Sequence, residues 1–333
     1  MIDLSRFPRR HYYSQPTPIE KLDKLTARLG GPDIYVKRDD QLGLTGGGNK
    51  TRKLEFVVGD ALAKGADALI TCGGLQSNHC RLTASAAARE KLDCHLVLIE
   101  EEFQTYNKNA GGNNLLFHLL QVKGYTVISK EDDFEEAMRQ VGRDLEKQRK
   151  TPYIVTMGAS YPVGTLGYMS CAEEIITQSQ DLDIHFDHVI CPLGSGGTLA
   201  GLVIGFEMMQ SDTHVLGMNV ARQNEEQVPV LTDLIQQSIS ELELDCRVAP
   251  SRITCFDGYV GPGYTIPTPE MINAVKLLAA EEGILLDPIY TGKAMAGLLD
   301  LIQKGYFYRD ARILFLHTGG SPALYMHPEL FID

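Results

Sequence analysis

Several short stretches of this chain gather residue types that can do chemistry. "GGGNKTRKLEF" (46–56) sets Lys50 just behind three consecutive glycines. A lysine lodged beside a glycine turn in a partly desolvated site can lose its proton and bond a carbonyl carbon. A solvated lysine at a helix start is the other reading of the same residue. A phosphate-wrapping P-loop is excluded by register. Gly43 and Gly48 have the G-x-x-x-x-G spacing, but Asn49 intervenes before the lysine that should follow at once.

"CPLGSGGTLAG" (191–201) places Gly194, Ser195, Gly196, Gly197 and Thr198 between a strand pattern and a helix pattern. Backbone N–H groups at a helix N-terminus, with two hydroxyls, make a cradle for one phosphate. The stretch fails as a dinucleotide fingerprint, because G-x-G-x-x-G needs glycine at the position of Leu199. "GGLQSNHCR" (73–81) offers Ser77 and Asn78 at another helix start, suited to a carboxylate or, more simply, to an N-cap. "DGYVGPGYTIP" (257–267) and "LLDPIYTGKAMAG" (285–297) carry Tyr259, Tyr264 and Tyr290 on loops. A loop phenol is either a surface filler or a general acid or base. "LFLHTGGSPALY" (314–325) ends a strand in Thr318, whose hydroxyl can meet a ring nitrogen. Taken together, a reactive amine and a separate monophosphate cradle point to pyridoxal phosphate.

Other chemistries fit poorly. His185 and His188 have H-x-x-H spacing without a third ligand, H-E-x-x-H is absent, and no G-x-S-x-G elbow occurs. Asp39 and Asp40 are neighbours whose side chains diverge, so they are no acid–base pair.

The elements that must hold these residues alternate. Strands are expected at the start of 34–48 and at 66–74, 93–101, 125–129, 186–193, 214–220 and 311–320. Helices are expected at 77–92, 113–124 with Gly124 as its cap, 133–150, 198–210, 269–283 and 292–305. Such alternation gives parallel sheets covered by helices, with ligands at the carboxyl ends of strands, where the glycine turns lie. The 333 residues, 44% hydrophobic and 22% charged, suffice for two domains. A net charge of −12 without a basic stripe excludes nucleic-acid and anionic-membrane binding. The N-terminus lacks an apolar signal core, and seven cysteines without C-x-x-C fit reduced thiols, so a cytoplasmic location is expected.

The motifs "GGNKTRKLEF", "LQSNH", "PLGSGGT", "GYVGPGYTIP", "LLDPIYTGKAMAG" and "HTGG", in this order, resemble the tryptophan-synthase-β-like (fold type II) pyridoxal-phosphate enzymes. Within them they resemble the branch of 1-aminocyclopropane-1-carboxylate deaminase and D-cysteine desulfhydrase. The resemblance implies two open, mostly parallel sheets with the cofactor in the cleft between a small domain (51–165) and a discontinuous large domain (1–50 and 166–333). It implies a homodimer. Lys50 would be the Schiff-base lysine, Asn78 would contact the ring oxygen, and Gly194 to Thr198 would hold the phosphate. Ser77 would meet the substrate carboxylate or move a proton, with Tyr264 and Tyr290 near the substrate. The deaminases carry glutamate after the second tyrosine and leucine in the last motif, whereas this chain has Thr291 and Thr318. That pattern implies a weaker electron sink and β-elimination, D-cysteine giving pyruvate, ammonium and sulfide. L-Cysteate sulfo-lyase, cyclopropane ring opening and a non-catalytic pyridoxal-phosphate- or nucleotide-binding protein stand as alternatives.

Overall fold

Residue patterning along the strands explains the architecture of the computed structural model, which describes residues 2–100 and 105–332. Among the described residues ten strands form two sheets. The first contains β1 (Ile19–Lys21), β2 (Asp33–Lys37), β7 (His188–Leu193), β8 (His214–Asn219), β9 (Thr254–Phe256) and β10 (Arg312–Leu316), in the order β1-β2-β10-β7-β8-β9. The second contains β3 (Ala68–Gly74), β4 (Asp93–Ile99), β5 (Gly124–Ile128) and β6 (Pro152–Val155), in the order β5-β4-β3-β6. Every pairing is parallel except β1 with β2.

The strands of the first sheet are apolar on both faces. In β10, Leu314 and Leu316 enter one core with β7, and Ile313 and Phe315 enter the opposite one. Successive side chains of a strand point to opposite faces, so a continuous apolar run needs helices on both sides. These are α6 (Pro162–Asp181), α7 (Gly197–Met208) and α8 (Asn224–Glu241) on one side. On the other lie α1 (Asp23–Leu29), α9 (Pro269–Glu282) and α10 (Thr291–Gln303). The second sheet is covered by α2 (Lys50–Ala63), α3 (Asn78–Glu90) and α4 (Gly112–Leu119) on one face and by α5 (Phe134–Lys147) on the other.

Helix α6 joins the two halves, packing against α2 and α7. Glycine makes both approaches possible: a Cβ on Gly167 would lie 2.4 Å from the Arg52 carbonyl carbon, and one on Gly201 would lie 2.4 Å from the Thr165 carbonyl oxygen. The start of α2 and the start of α7 are thereby held in a fixed relation.

Several expectations need correction, among them the strand expected over 311–320, which ends at Leu316 before the glycine turn. Gly124 does not cap a helix: α4 ends at Leu119, and Gly124 opens β5 where a Cβ would meet the His95 ring at 2.4 Å. The strand expected to reach Glu101 ends at Ile99, and Glu101 lies outside the described residues. Finally, the periodicity reading assigns no element to 162–181 or 224–241, where α6 and α8 lie. All seven cysteines are free thiols. Among the described residues no helix is long and apolar enough to cross a membrane, and no cluster of His, Cys, Asp and Glu could hold a metal.

Candidate active site

The carboxyl ends of β3 and β7 face each other across a cavity of about 340 Å³. Lys50, Ser77, Asn78, Gly194, Ser195, Gly196, Thr198, Tyr264, Tyr290 and Thr318 all line it. Residues far apart in sequence therefore converge. Gly197 and Thr291 do not line it.

The glycine loop before Lys50 is not a phosphate cradle. Its amides are spent inside the fold: Gly47 donates to the Leu44 carbonyl, Gly48 to Asp39 and Asn49 to Thr318. The loop delivers Lys50 to the first turn of α2, where burial pulls its amine down to about 8, with the Arg81 charge adding to the effect. Asn49 accepts from Lys50 Nζ at 3.1 Å and donates to Thr198 Oγ1 at 2.9 Å. The residue that spoils the P-loop register thus ties the amine to the start of α7.

At that start the first-turn N–H groups have no acceptor within the helix. Gly197 N–H donates to Ser160 Oγ at 3.1 Å, and the Ser160 and Ser195 hydroxyls are 2.7 Å apart. Beneath them lies the Lys53 amine: a Cβ on Gly197 would be 2.7 Å from Lys53 Nζ. Lys53 donates to the Gly158 carbonyl at 3.0 Å, and burial, then the nearby Lys50, hold its amine well below the ordinary lysine value.

On the opposite wall, Ser77 is the N-cap of α3, accepting from Cys80 N–H at 3.1 Å. Asn78 Oδ1 accepts from Arg81 and from Asn113 Nδ2, both at 2.9 Å, which leaves the Asn78 amide N–H groups for the cavity. His79 is buried beside it, its Nε2 bonded to Thr71 Oγ1, and burial keeps its ring neutral.

The tyrosines close the site. Tyr264 and Tyr290 hydroxyls share a hydrogen bond, and burial, then Tyr264, push the Tyr290 phenol well above its ordinary value. Lys293 Nζ secures the Tyr264 loop by donating to the Val260 and Gly263 carbonyls at 2.7 and 2.8 Å. Asp287, given no role by the sequence reading, receives the Ile289, Tyr290 and Thr291 N–H groups and the Thr291 hydroxyl. Thr291 is consequently turned onto Asp287 at 2.6 Å, away from the cavity, and of the two threonines only Thr318 lines it. Tyr259 also points elsewhere, bonding Asp300 at 2.6 Å.

Asn49, Lys53, Arg81, Asp287 and Ser160 were missed by sequence reasoning. The polar cap pattern D-P-x-Y-T could have shown Asp287; the others needed the third dimension.

A family model for pyridoxal-phosphate dependent enzymes matches residues 12–319, and the chain belongs to that family. Its fold is therefore fold type II, and its cofactor is pyridoxal 5'-phosphate. More particularly, it is 42% identical over 330 residues to a D-cysteine desulfhydrase of Serratia proteamaculans, covering 98% of each chain. It is 43% identical to a D-cysteine desulfhydrase of Yersinia enterocolitica, with the same coverage. The crystal structure of an ACC deaminase homologue superposes with a TM-score of 0.89 at 38% identity, covering 98% of this chain and 96% of that one. An O-ureido-L-serine synthase, 18% identical, shares the fold alone, with a TM-score of 0.68 over 96% and 93% of the two chains.

Proposed function

We propose that this chain is a D-cysteine desulfhydrase, a carbon–sulfur lyase converting D-cysteine and water to pyruvate, ammonium and sulfide. The observation that carries the reading is Lys50, a buried amine near neutrality, facing a helix-start cradle in one cavity. Relatives 42–43% identical over nearly the whole chain bear that name.

The residues present fit the cofactor. The first-turn amides of α7 that follow Gly197, with Lys53 beneath them, suit a phosphate. The amide of Asn78 suits an anionic ring oxygen, and the Thr318 hydroxyl suits a ring nitrogen. Lys50 would hold the aldehyde end. When bound, the cofactor supplies the sink for the electron pair left behind as the α-proton departs.

The protein's own groups then divide the proton work. Lys50, with its amine at about 8, takes the α-proton. Tyr290 stays protonated because its phenol is pushed up, so the Tyr264–Tyr290 pair donates to the sulfur as the Cβ–S bond breaks. Ser77 keeps its O–H for the substrate carboxylate while its oxygen caps α3.

The proposed domain layout, 1–50 with 166–333 and 51–165, is supported by the sheets, because β3 to β6 fall between residues 68 and 155. A cytoplasmic homodimer without nucleic-acid partners completes the reading.

One observation favours a second substrate. Arg222 lines the cavity, and its side chain makes no hydrogen bond or ion pair with the described residues. A free guanidinium there suits an anionic β-substituent such as the sulfonate of L-cysteate. The test is pyruvate and ammonia release across D-cysteine, L-cysteine, L-cysteate, β-chloro-D-alanine and 1-aminocyclopropane-1-carboxylate. D-Cysteine should lead. Preferred turnover of cysteate would move the assignment to a sulfo-lyase, and turnover of the cyclopropane alone would overturn elimination. A chain without borohydride-sensitive visible absorbance would be no enzyme of this kind.

A further inference from the structure

Arg81 is a fully buried cation with no carboxylate partner among the described residues. Its Nη1 donates to Asn78 Oδ1 at 2.9 Å and to Asn113 Oδ1 at 2.7 Å, and its Nη2 donates to the Gly47 carbonyl at 2.7 Å. Its Nε has no partner. Every acceptor it has is neutral. An isolated buried charge is costly unless something compensates it.

The surroundings show what the guanidinium controls. It lies against the glycine loop that leads into Lys50: a Cβ on Gly46 would be 3.4 Å from Arg81 Cζ, and one on Gly48 would be 3.8 Å from Nη2. Together with Asn113, whose Nδ2 also donates to the Gln76 carbonyl at 2.7 Å, it fixes which way round the Asn78 amide sits. One side chain thus clamps the loop before Lys50 to the starts of α3 and α4.

We propose that Arg81 is a positioning residue that turns the Asn78 amide towards an anionic oxygen of the bound cofactor's ring, and that this oxygen supplies the counter-charge the guanidinium lacks. The inference rests on the cofactor placement proposed above. It assigns Arg81 no contact with the reacting atoms. Burial alone draws the Arg81 guanidinium down to about 10, and its charge also lowers the Lys50 amine, in keeping with an uncompensated cation.

The test uses full-length Arg81→Met and Arg81→Lys, with pyridoxal phosphate titrated into the resolved protein and the holoenzyme's visible absorbance followed against pH. Arg81→Met should weaken cofactor binding by about 10–100-fold, the range of a charge-assisted hydrogen bond. It should raise the pH midpoint of the absorbance by about one unit, since a nearby cation favours the anionic form. Arg81→Lys should restore that midpoint but only part of the affinity, because a point charge cannot span the three acceptors. A folded Arg81→Met with unchanged affinity and midpoint would overturn the proposal. If Arg81→Met does not fold, Arg81→Lys in an Asn78→Ala background decides. Less than about two-fold further loss of affinity there supports action through Asn78, and a fully additive loss overturns it. The wild-type titration alone reports on the cofactor, and only the variants report on Arg81.

Discussion

Helix α2 has two charged neighbourhoods, and they are built on opposite principles. Away from the cavity, Arg52 is fully buried and compensated. It donates to both Asp39 oxygens at 2.8 Å and to both Glu174 oxygens at 2.9 and 2.7 Å. Lys37 joins Glu174 and the Thr17 carbonyl, while Tyr168 donates to Asp39 at 2.6 Å. Towards the cavity, Lys53 and Arg81 are equally buried and Lys50 is partly so, yet none forms an ion pair among the described residues. The first cluster closes its own charge balance and holds α2 to α6. The second has no carboxylate of its own, which suits the proposed phosphate, ring oxyanion and substrate carboxylate. A buried arginine therefore says little by itself; the presence or absence of its carboxylates separates scaffold from site.

This contrast can be broken at either end. The largest effect is expected from Lys50→Ala, which should bring turnover and borohydride-sensitive absorbance to background while leaving the melting curve cooperative; residual activity would remove Lys50 from its role. Next, Arg52→Met should cost about 3–5 kcal/mol of folding stability in a denaturant titration, because Asp39 and Glu174 are left unpaired in the interior. A loss below about 1 kcal/mol would mean that the network is not compensated as described. Lys53→Met should weaken cofactor binding by about 10–100-fold with little loss of stability, since it removes an amine that has no carboxylate partner in the fold. Equal stability losses in Arg52→Met and Lys53→Met would erase the distinction.

The smallest effect lies in the pH dependence of the ligand-free chain. Burial pushes the Asp39 and Glu174 carboxyls up, but the Arg52 and Lys37 charges and hydrogen bonds outweigh it, leaving both below their ordinary values of 3.8 and 4.5. Their contribution is present above about pH 4.5 and is lost as pH falls through the lower folded values. Lys50 behaves oppositely. Its folded amine titrates near 8 and its unfolded one near 10.5, so the unfolded chain binds more protons between these values. Stability should therefore climb across that window. Burial lowers the Lys53 and Lys293 amines in the same direction, so a melting temperature rising by a few degrees from pH 8 towards 10, and a rise reduced but not abolished in Lys50→Ala, would confirm the sign.

Much of the site could be read from residue spacing. Lys50, the Ser77 cap and the α7 turn each sit at a strand-to-helix junction, where local pattern and function coincide. The helices that were missed obscure their own signal. Helix α6 is wedged between α2, α7 and α8, so a helical stripe with a polar back never develops, and α8 carries Pro229 in its interior. Thr291 matched a family pattern but is claimed by Asp287 four residues earlier, a competition that a motif does not show. Arg52, Lys53 and Arg81 read alike as basic residues. Only the fold shows which of them meets a carboxylate.

The thiols have a consequence of another kind. Burial pushes up every one of the seven cysteine thiols, and none lines the cavity. Thiolate is the form that is oxidised, exchanges with disulfides and captures soft metals. A protein proposed to take in a thiol amino acid and release sulfide thus keeps its own sulfur protonated and away from that traffic. Its working life should be set by loss of cofactor, with little contribution from self-inflicted sulfur chemistry.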